Sequence, residues 1–227
     1  MRKAVLGLGI SLDGYIARPD GSVDFLFMPR DYSMADFFAT IDCAIMGRKT
    51  FDVARKQGGG FGTMESYVLS RSQPPGKREG VTFSNEAPAD LIHRLRKNKG
   101  KDIWLMGGGE LAREFLKADL VDELYLGIVP VLLGEGIPLF PAGFPQRDFS
   151  LLENKSYSRG LISLKYERRR TKKKSSSRRL KRSHQRFSGS ASPAPIFPGR
   201  RFGVAAAPAP CRARKLSSGR RCSAGAR

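Results

Sequence analysis

The sequence has little of what crosslinks chains or binds metals. It holds 3 cysteines and 2 histidines in 227 residues, with no Cys-x-x-C pair and no Cys/His spacing of a zinc site. Neither a disulfide framework nor a structural zinc is supported. Long apolar runs are absent as well: none reaches the roughly 18 residues that a membrane span needs, so no membrane partner is expected. Arg2-Lys3 ahead of AVLGLGI resembles the opening of a secretion signal. That run is at the short limit, lacks a small-residue cleavage site and continues into Ser11-Leu12-Asp13-Gly14, which makes a cytoplasmic protein the expectation.

The most telling absence is acid at the C-terminal end. Residues 1–167 hold 22 of the 41 Lys and Arg and all 21 Asp and Glu, whereas residues 168–227 hold the other 19 cations and no acid. The formal charge of +20 therefore divides into a near-neutral domain and a cationic tail. The first 167 residues suffice for one domain with a full core. The tail (RRRTKKKSSSRRLKRSHQR and onward) has too little apolar content to offset its ordering entropy, and its composition predicts disorder. Two readings of it stay open. It is a basic arm that binds nucleic acid or an anionic surface without specificity, or it is a frameshift or readthrough product of GC-rich DNA, which its Arg/Ser/Pro/Ala/Gly mixture fits. No function is assigned from it.

What is present centres on residues 102–116, DIWLMGGGELAREFL. A short apolar strand runs into Gly107, Gly108 and Gly109 and then into helical spacing at Leu111, Ala112, Phe115 and Leu116. Glycines there let a ligand approach the main chain, and the unpaired N–H groups of a helix's first turn suit a phosphate. A plain tight connection explains the same residues. Gly107, Gly109 and Ala112 satisfy G-x-G-x-x-A, but a dinucleotide fingerprint of that kind follows the first strand and wants an acidic residue about 20 positions on. Here too little foldable chain follows.

Apolar runs predict further strands at residues 4–10, 43–46, 66–69, 81–83 and 124–131, the last interrupted at Pro130, with a closing hairpin of 149–156 and 161–168. Helical spacing covers 33–40 and 87–98. The fold class expected is α/β: a mostly parallel central sheet with helices on both faces and a C-terminal antiparallel hairpin. Ligands of such sheets lie beyond the strands' carboxyl ends. Two more segments fall there: Gly47-Arg48-Lys49-Thr50-Phe51, with Thr50 placed to cap the next helix, and Ser70-Arg71-Ser72. Each reads equally as an ordinary polar turn.

Taken in order, Ser11-Leu12-Asp13-Gly14, Met46-Gly47-Arg48-Lys49-Thr50-Phe51, Val68-Leu69-Ser70-Arg71, Gly107-Gly108-Gly109 and the run from Asp122-Glu123-Leu124 to Pro138-Leu139-Phe140 carry a likeness. The chain resembles the dihydrofolate-reductase-like superfamily, and within it the bacterial group related to the reductase domain of riboflavin biosynthesis. The resemblance covers residues 2–167. It implies an NADPH-dependent reductase that delivers hydride to a C=N or C=O group of a small heterocyclic or carbonyl substrate, assembled as a homodimer through that domain. It also implies that Gly47, Arg48, Lys49 and Thr50 hold cofactor phosphates, that Ser70 and Arg71 hold the 2′-phosphate, and that Gly107, Gly108, Gly109, Glu110 and Leu111 pass the pyrophosphate. Asp31 is expected to contact substrate, Asp13 is the second candidate for catalysis, and Asp36 is placed on the surface. The alternative is a non-catalytic binding protein that works through its basic tail.

Overall fold

The computed structural model describes residues 1–56, 58, 64–78 and 80–170. The elements in chain order are β1 (Ala4–Ser11), β2 (Tyr15–Ala17), α1 (Ala35–Ala39), β3 (Ile41–Gly47), α2 (Arg48–Lys56), β4 (Glu65–Leu69), β5 (Gly76–Arg78), β6 (Val81–Ser84) and α3 (Pro88–Lys97). They continue with β7 (Asp102–Gly107), α4 (Gly109–Lys117), β8 (Glu123–Val129), β9 (Ile137–Pro138), β10 (Phe149–Ser156) and β11 (Ile162–Arg168). Nine strands form one sheet in the order β10-β11-β8-β1-β7-β3-β4-β6-β5, and β2 pairs with β9 apart from it. The run from β8 to β6 is parallel, while β11, β10 and β5 are antiparallel to their neighbours. The architecture is the one the sequence predicts.

Alternation along each strand divides the core into two layers. One face carries Ala4, Leu6 and Ile10 of β1, Cys43 and Ile45 of β3, and Ile103 and Leu105 of β7, under Leu91, Ile92 and Leu95 of α3 and Ala112, Phe115 and Leu116 of α4. The other face holds Ala44, Met46 and Val68 under Phe51 of α2, and Val5 under Phe37 of α1. On that second face β1 carries Gly7 and Gly9. A Cβ at Gly7 would lie 2.8 Å from Cζ of Phe37, and one at Gly9 would lie 2.9 Å from Cδ2 of Leu26. Glycine at alternate positions is thus what lets Phe37 and Leu26 sit against the strand. Burial pushes the Cys43 thiol up to about 12, so it behaves as a small apolar core residue.

Acids and bases interlock at the amino ends of the parallel strands. Asp122, nearly buried, accepts the Ala4 N–H at 2.8 Å and pairs with Arg96 and with Arg170. Glu123 pairs with Lys3 at 2.5 Å and with Lys165 at 3.2 Å, and Arg2 pairs with Asp42.

Several local expectations are corrected. Helix α1 is shorter than residues 33–40, and β8 ends at Val129, before Pro130 rather than beyond it. Thr50 does not cap a helix: α2 starts at Arg48, which puts Thr50 in its first turn. Ordered contacts also run past residue 167. Arg168 closes β11 and bonds Asp119 at 2.9 Å, the Arg169 N–H donates to the Asp148 carbonyl, and Arg170 reaches Asp122. The remainder of the expected tail, 171–227, lies outside the described residues. Among the described residues no helix is long and apolar enough to cross a membrane.

Candidate active site

Parallel pairing brings the three candidate phosphate segments to one edge. Met46 is in register with Gly107, Gly47 with Leu69, and Leu69 with Ser84, so β7, β3, β4 and β6 end side by side. The Ser70 N–H donates to the Ser84 carbonyl at 3.0 Å. Across β3 and β7 the Gly108 N–H donates to Oγ1 of Thr50 at 2.9 Å, tying the glycine turn to the first turn of α2. That bond joins residues 58 apart in sequence.

Each glycine of the turn has its own local reason. Gly107 has a φ of +94°, which disfavours a side chain, and a Cβ at Gly108 would lie 3.3 Å from Oγ1 of Thr50, the atom its N–H bonds. Gly109 is buried, and a Cβ there would lie inside 3.0 Å of the Pro138 carbonyl oxygen. Strand β9 therefore crosses directly over the start of α4. Glu110 is exposed and pairs with Arg113, and Leu111 packs half-buried against the core.

The edge is cationic and partly uncommitted. Nε of Arg48 is held by Asp52 at 2.9 and 3.0 Å. Lys49 and Arg71 are exposed, and among the described residues neither forms an ion pair or a hydrogen bond. Ser70 is buried, and its hydroxyl accepts the Gln73 N–H at 3.1 Å, which fixes the turn that carries Arg71. Gly47 faces open space, the atom nearest to a Cβ there being the Gly107 carbonyl oxygen at 4.0 Å. An open cradle beside two unpaired cations and a hydroxyl fits a phosphorylated cofactor.

The carboxyl ends of β1 and β8 form the adjoining wall. Ser11, fully buried, donates to Asp13 at 2.5 Å and accepts the Tyr15 N–H at 2.9 Å. The other oxygen of Asp13 accepts the N–H groups of Leu133 and Gly134 at 3.0 and 2.8 Å, clasping the loop after β8 to the loop after β1. The Ser11 hydroxyl and those N–H groups hold the Asp13 carboxyl below its ordinary range. Asp31, the other catalytic candidate, accepts both the hydroxyl and the N–H of Ser158 at 2.7 Å, and these bonds likewise hold its carboxyl low. Both accept hydrogen bonds that anchor loops, and those bonds favour the ionised form of each carboxyl.

The aromatic set beside Asp31 joins Tyr32 to residues distant in sequence, which no local pattern marks. Tyr32 meets Tyr157 edge to face with centroids 5.0 Å apart, Tyr125 stacks on Phe37 at 4.9 Å, and Arg159 lies 4.0 Å over the Phe27 ring. Burial, with Tyr125 alongside, pushes the Tyr32 phenol well above its ordinary value. Trp104, next to these rings, donates its indole N–H to the Gly7 carbonyl at 2.7 Å. The segment between β2 and α1 is thus held over the second face of the sheet by the turn between β10 and β11.

Sheet order, the terminal hairpin and the glycine turn define a member of the RibD C-terminal domain family, whose model matches residues 2–163, and the chain belongs to it. Two Bacillus subtilis (strain 168) proteins are similar. The uncharacterized protein YwjB is 40% identical over 61% of this chain and 83% of its own, and the uncharacterized protein YyaP is 33% identical over 73% and 94%. A solved structure from Shewanella sp. PV-4, whose name assigns it to riboflavin biosynthesis, superposes with a TM-score of 0.65. It is 28% identical and is matched over 74% of this chain and 99% of its own.

Proposed function

We propose that this protein is an NADPH-dependent reductase acting on a C=N or C=O group of a small heterocyclic or carbonyl compound. The observation that carries the reading is the edge where Thr50 bonds Gly108, Gly47 opens a cradle, and Lys49 and Arg71 stand without a partner among the described residues. Membership of the RibD C-terminal family and likeness to a protein named for riboflavin biosynthesis support a redox role and a heterocyclic substrate.

In this reading Arg48, Lys49 and the Thr50 hydroxyl hold the cofactor's phosphates, with Gly47, Gly107 and Gly108 giving the main chain close access and Glu110 and Leu111 flanking it. Arg71, presented by the Ser70 turn, meets the 2′-phosphate and so selects NADPH over NADH. Bound NADPH supplies the hydride. Asp13 and Asp31 act by holding the loops around the substrate opening. Neither carries the proton: the Tyr32 phenol, kept protonated beside Tyr125, is the nearby group able to donate a hydrogen bond to a substrate heteroatom.

Trp104 is the chain's one tryptophan and packs against Phe37 and Phe38. NADPH added to the full-length protein should quench its emission with energy transfer to the reduced nicotinamide. Unchanged emission up to about 1 mM NADPH, the top of the usual enzyme range, would remove the proposal.

A further inference from the structure

Helix α4 ends in an arrangement that local preferences do not favour. Its C-terminal residues lead into Asp119, which has a φ of +55°. That left-handed position after a helix usually belongs to glycine, because a Cβ is crowded there. A carboxylate also meets the negative end of the helix dipole, which is unfavourable. Two local penalties at one residue require an offsetting contact from outside the helix.

Three arginines supply it. Arg168 bonds the Asp119 carboxylate at 2.9 Å, Arg147 pairs with it at 3.4 Å and Arg170 at 3.5 Å. The same side chains take up main-chain oxygens left over at the helix end. Arg147 donates to the Leu116 and Lys117 carbonyls at 3.0 and 3.1 Å, and Arg170 donates to the Asp119 carbonyl at 2.9 Å. Arg170 is tied in turn to Asp122, and Arg168 to the Asp148 carbonyl at 2.9 Å. The Arg168 side chain is 10% exposed and that of Arg147 16%. Such pairs are screened less than pairs in open water, and losing the shared carboxylate would leave three guanidinium groups crowded together.

We infer that Arg147, Arg168 and Arg170 form a strap closed on Asp119, and that this strap holds the glycine turn at the opposite end of α4. The link is the helix itself. Its nine residues are fewer than the roughly 12 to 15 that an isolated helix needs, so α4 depends on its contacts and loosens over its whole length when one end is freed. The other end is where the turn is seated: Gly108 gives its N–H to Oγ1 of Thr50, and Gly109 lies under the Pro138 carbonyl. Asp119 and its arginines are thus positioning residues, which act through α4. The strap rests on these contacts alone; its bearing on NADPH rests on the proposed function.

Hydrogen exchange in the full-length protein tests the strap without a ligand, so its failure is distinct from a failure to bind NADPH. Asp119→Gly removes both local penalties, and if those alone governed the helix end, exchange across α4 would slow. The strap predicts the opposite sign: amides of residues 108–117 should exchange roughly 10-fold faster or more, relative to those of β3. Arg168→Gln should do the same, and the two changes together should add little to either, because they break one contact. Asp119→Asn tolerates the left-handed conformation and loses the charge; it should give a smaller acceleration of the same pattern, and it decides the matter where the glycine variant does not fold. Slower or unchanged exchange in α4 overturns the inference. So does acceleration confined to residues 116–119, which would make the strap a local cap. Equal acceleration throughout the sheet overturns it as well, since that is a general loss of stability.

Discussion

Gly109→Ala separates two explanations of the glycine turn, because helix propensity and packing predict opposite signs. Gly109 is the first residue of α4, where replacing glycine by alanine favours the helix by up to about 1 kcal/mol. The new Cβ would lie inside 3.0 Å of the Pro138 carbonyl oxygen and 3.3 Å from Cδ of Pro141. Neither atom is the free end of a flexible side chain, so relief requires β9 to move as a unit, and forced overpacking of this kind costs about 1 to 3 kcal/mol. The net expectation is destabilisation by about 1 to 2 kcal/mol. For a protein of this size that lowers the melting temperature by roughly 2 to 8 °C. Thermal unfolding followed by circular dichroism measures it, with NADPH titrations on the folded variant alongside. If the melting temperature is unchanged or raised, β9 does not pack on the α4 start as described. Should the variant keep its stability and lose only NADPH affinity, Gly109 serves ligand approach instead.

Further expectations concern the same regions. Thr50→Val removes the acceptor of the Gly108 N–H at nearly constant volume; it should cost about 1 to 2 kcal/mol in urea unfolding, while Thr50→Ser restores most of that. Arg71→Ala should weaken NADPH binding roughly 10-fold while leaving NADH binding and the melting temperature little changed, since Arg71 has no partner to lose among the described residues. Asp122→Asn should cost about 3 kcal/mol or more, because it strips Arg96 and Arg170 of a nearly buried counter-charge; denaturant titration would show the midpoint fall. Tyr32 has a folded value raised above 10.0, so its contribution is complete below that pH and is lost as pH rises past it toward the folded value. Tyr32→Phe should flatten the stability-versus-pH curve on that alkaline side, and an unaltered slope would mean that the phenol is not buried as described.

Much of the fold was legible because its signals are local. An apolar run is visible within ten residues: β3 and β7 end in glycine, β1 runs into the Asp13-Gly14 turn and β8 stops at Pro130. Strands β2, β5 and β9 are not marked in this way, since two or three residues carry no period. The site was legible in position and less so in detail. The register of parallel strands put residues 47–50, 70–71 and 107–109 on one edge as expected, yet the partners that decide what Thr50, Asp13 and Asp31 do are distant in sequence. Gly108, Gly134 and Ser158 lie 58, 121 and 127 positions away from them. The sequence shows two carboxylates near the expected site; only the distant partners show that each also ties two loops together. One signal was present and passed over. In AVLGLGI, glycine recurs with the strand's own period of two, which marks a face where bulky groups lie close to the backbone.

The contrast between the two ends of the parallel strands is the strongest physical argument for where an anion would go. Both ends are rich in cations, so charge alone does not choose between them. At the amino ends Arg2, Arg96, Lys3 and Lys165 each face a carboxylate, and Asp122 and Glu123 are nearly buried among them. An incoming phosphate there would have to displace a carboxylate already paired, gaining little. At the carboxyl ends Lys49 and Arg71 have no carboxylate to give up among the described residues, and Gly47 leaves space beside them. The same ionic attraction is therefore worth more at the second end. A fold stabilised by neutralising one edge of its sheet keeps the other edge's positive charge available for a ligand.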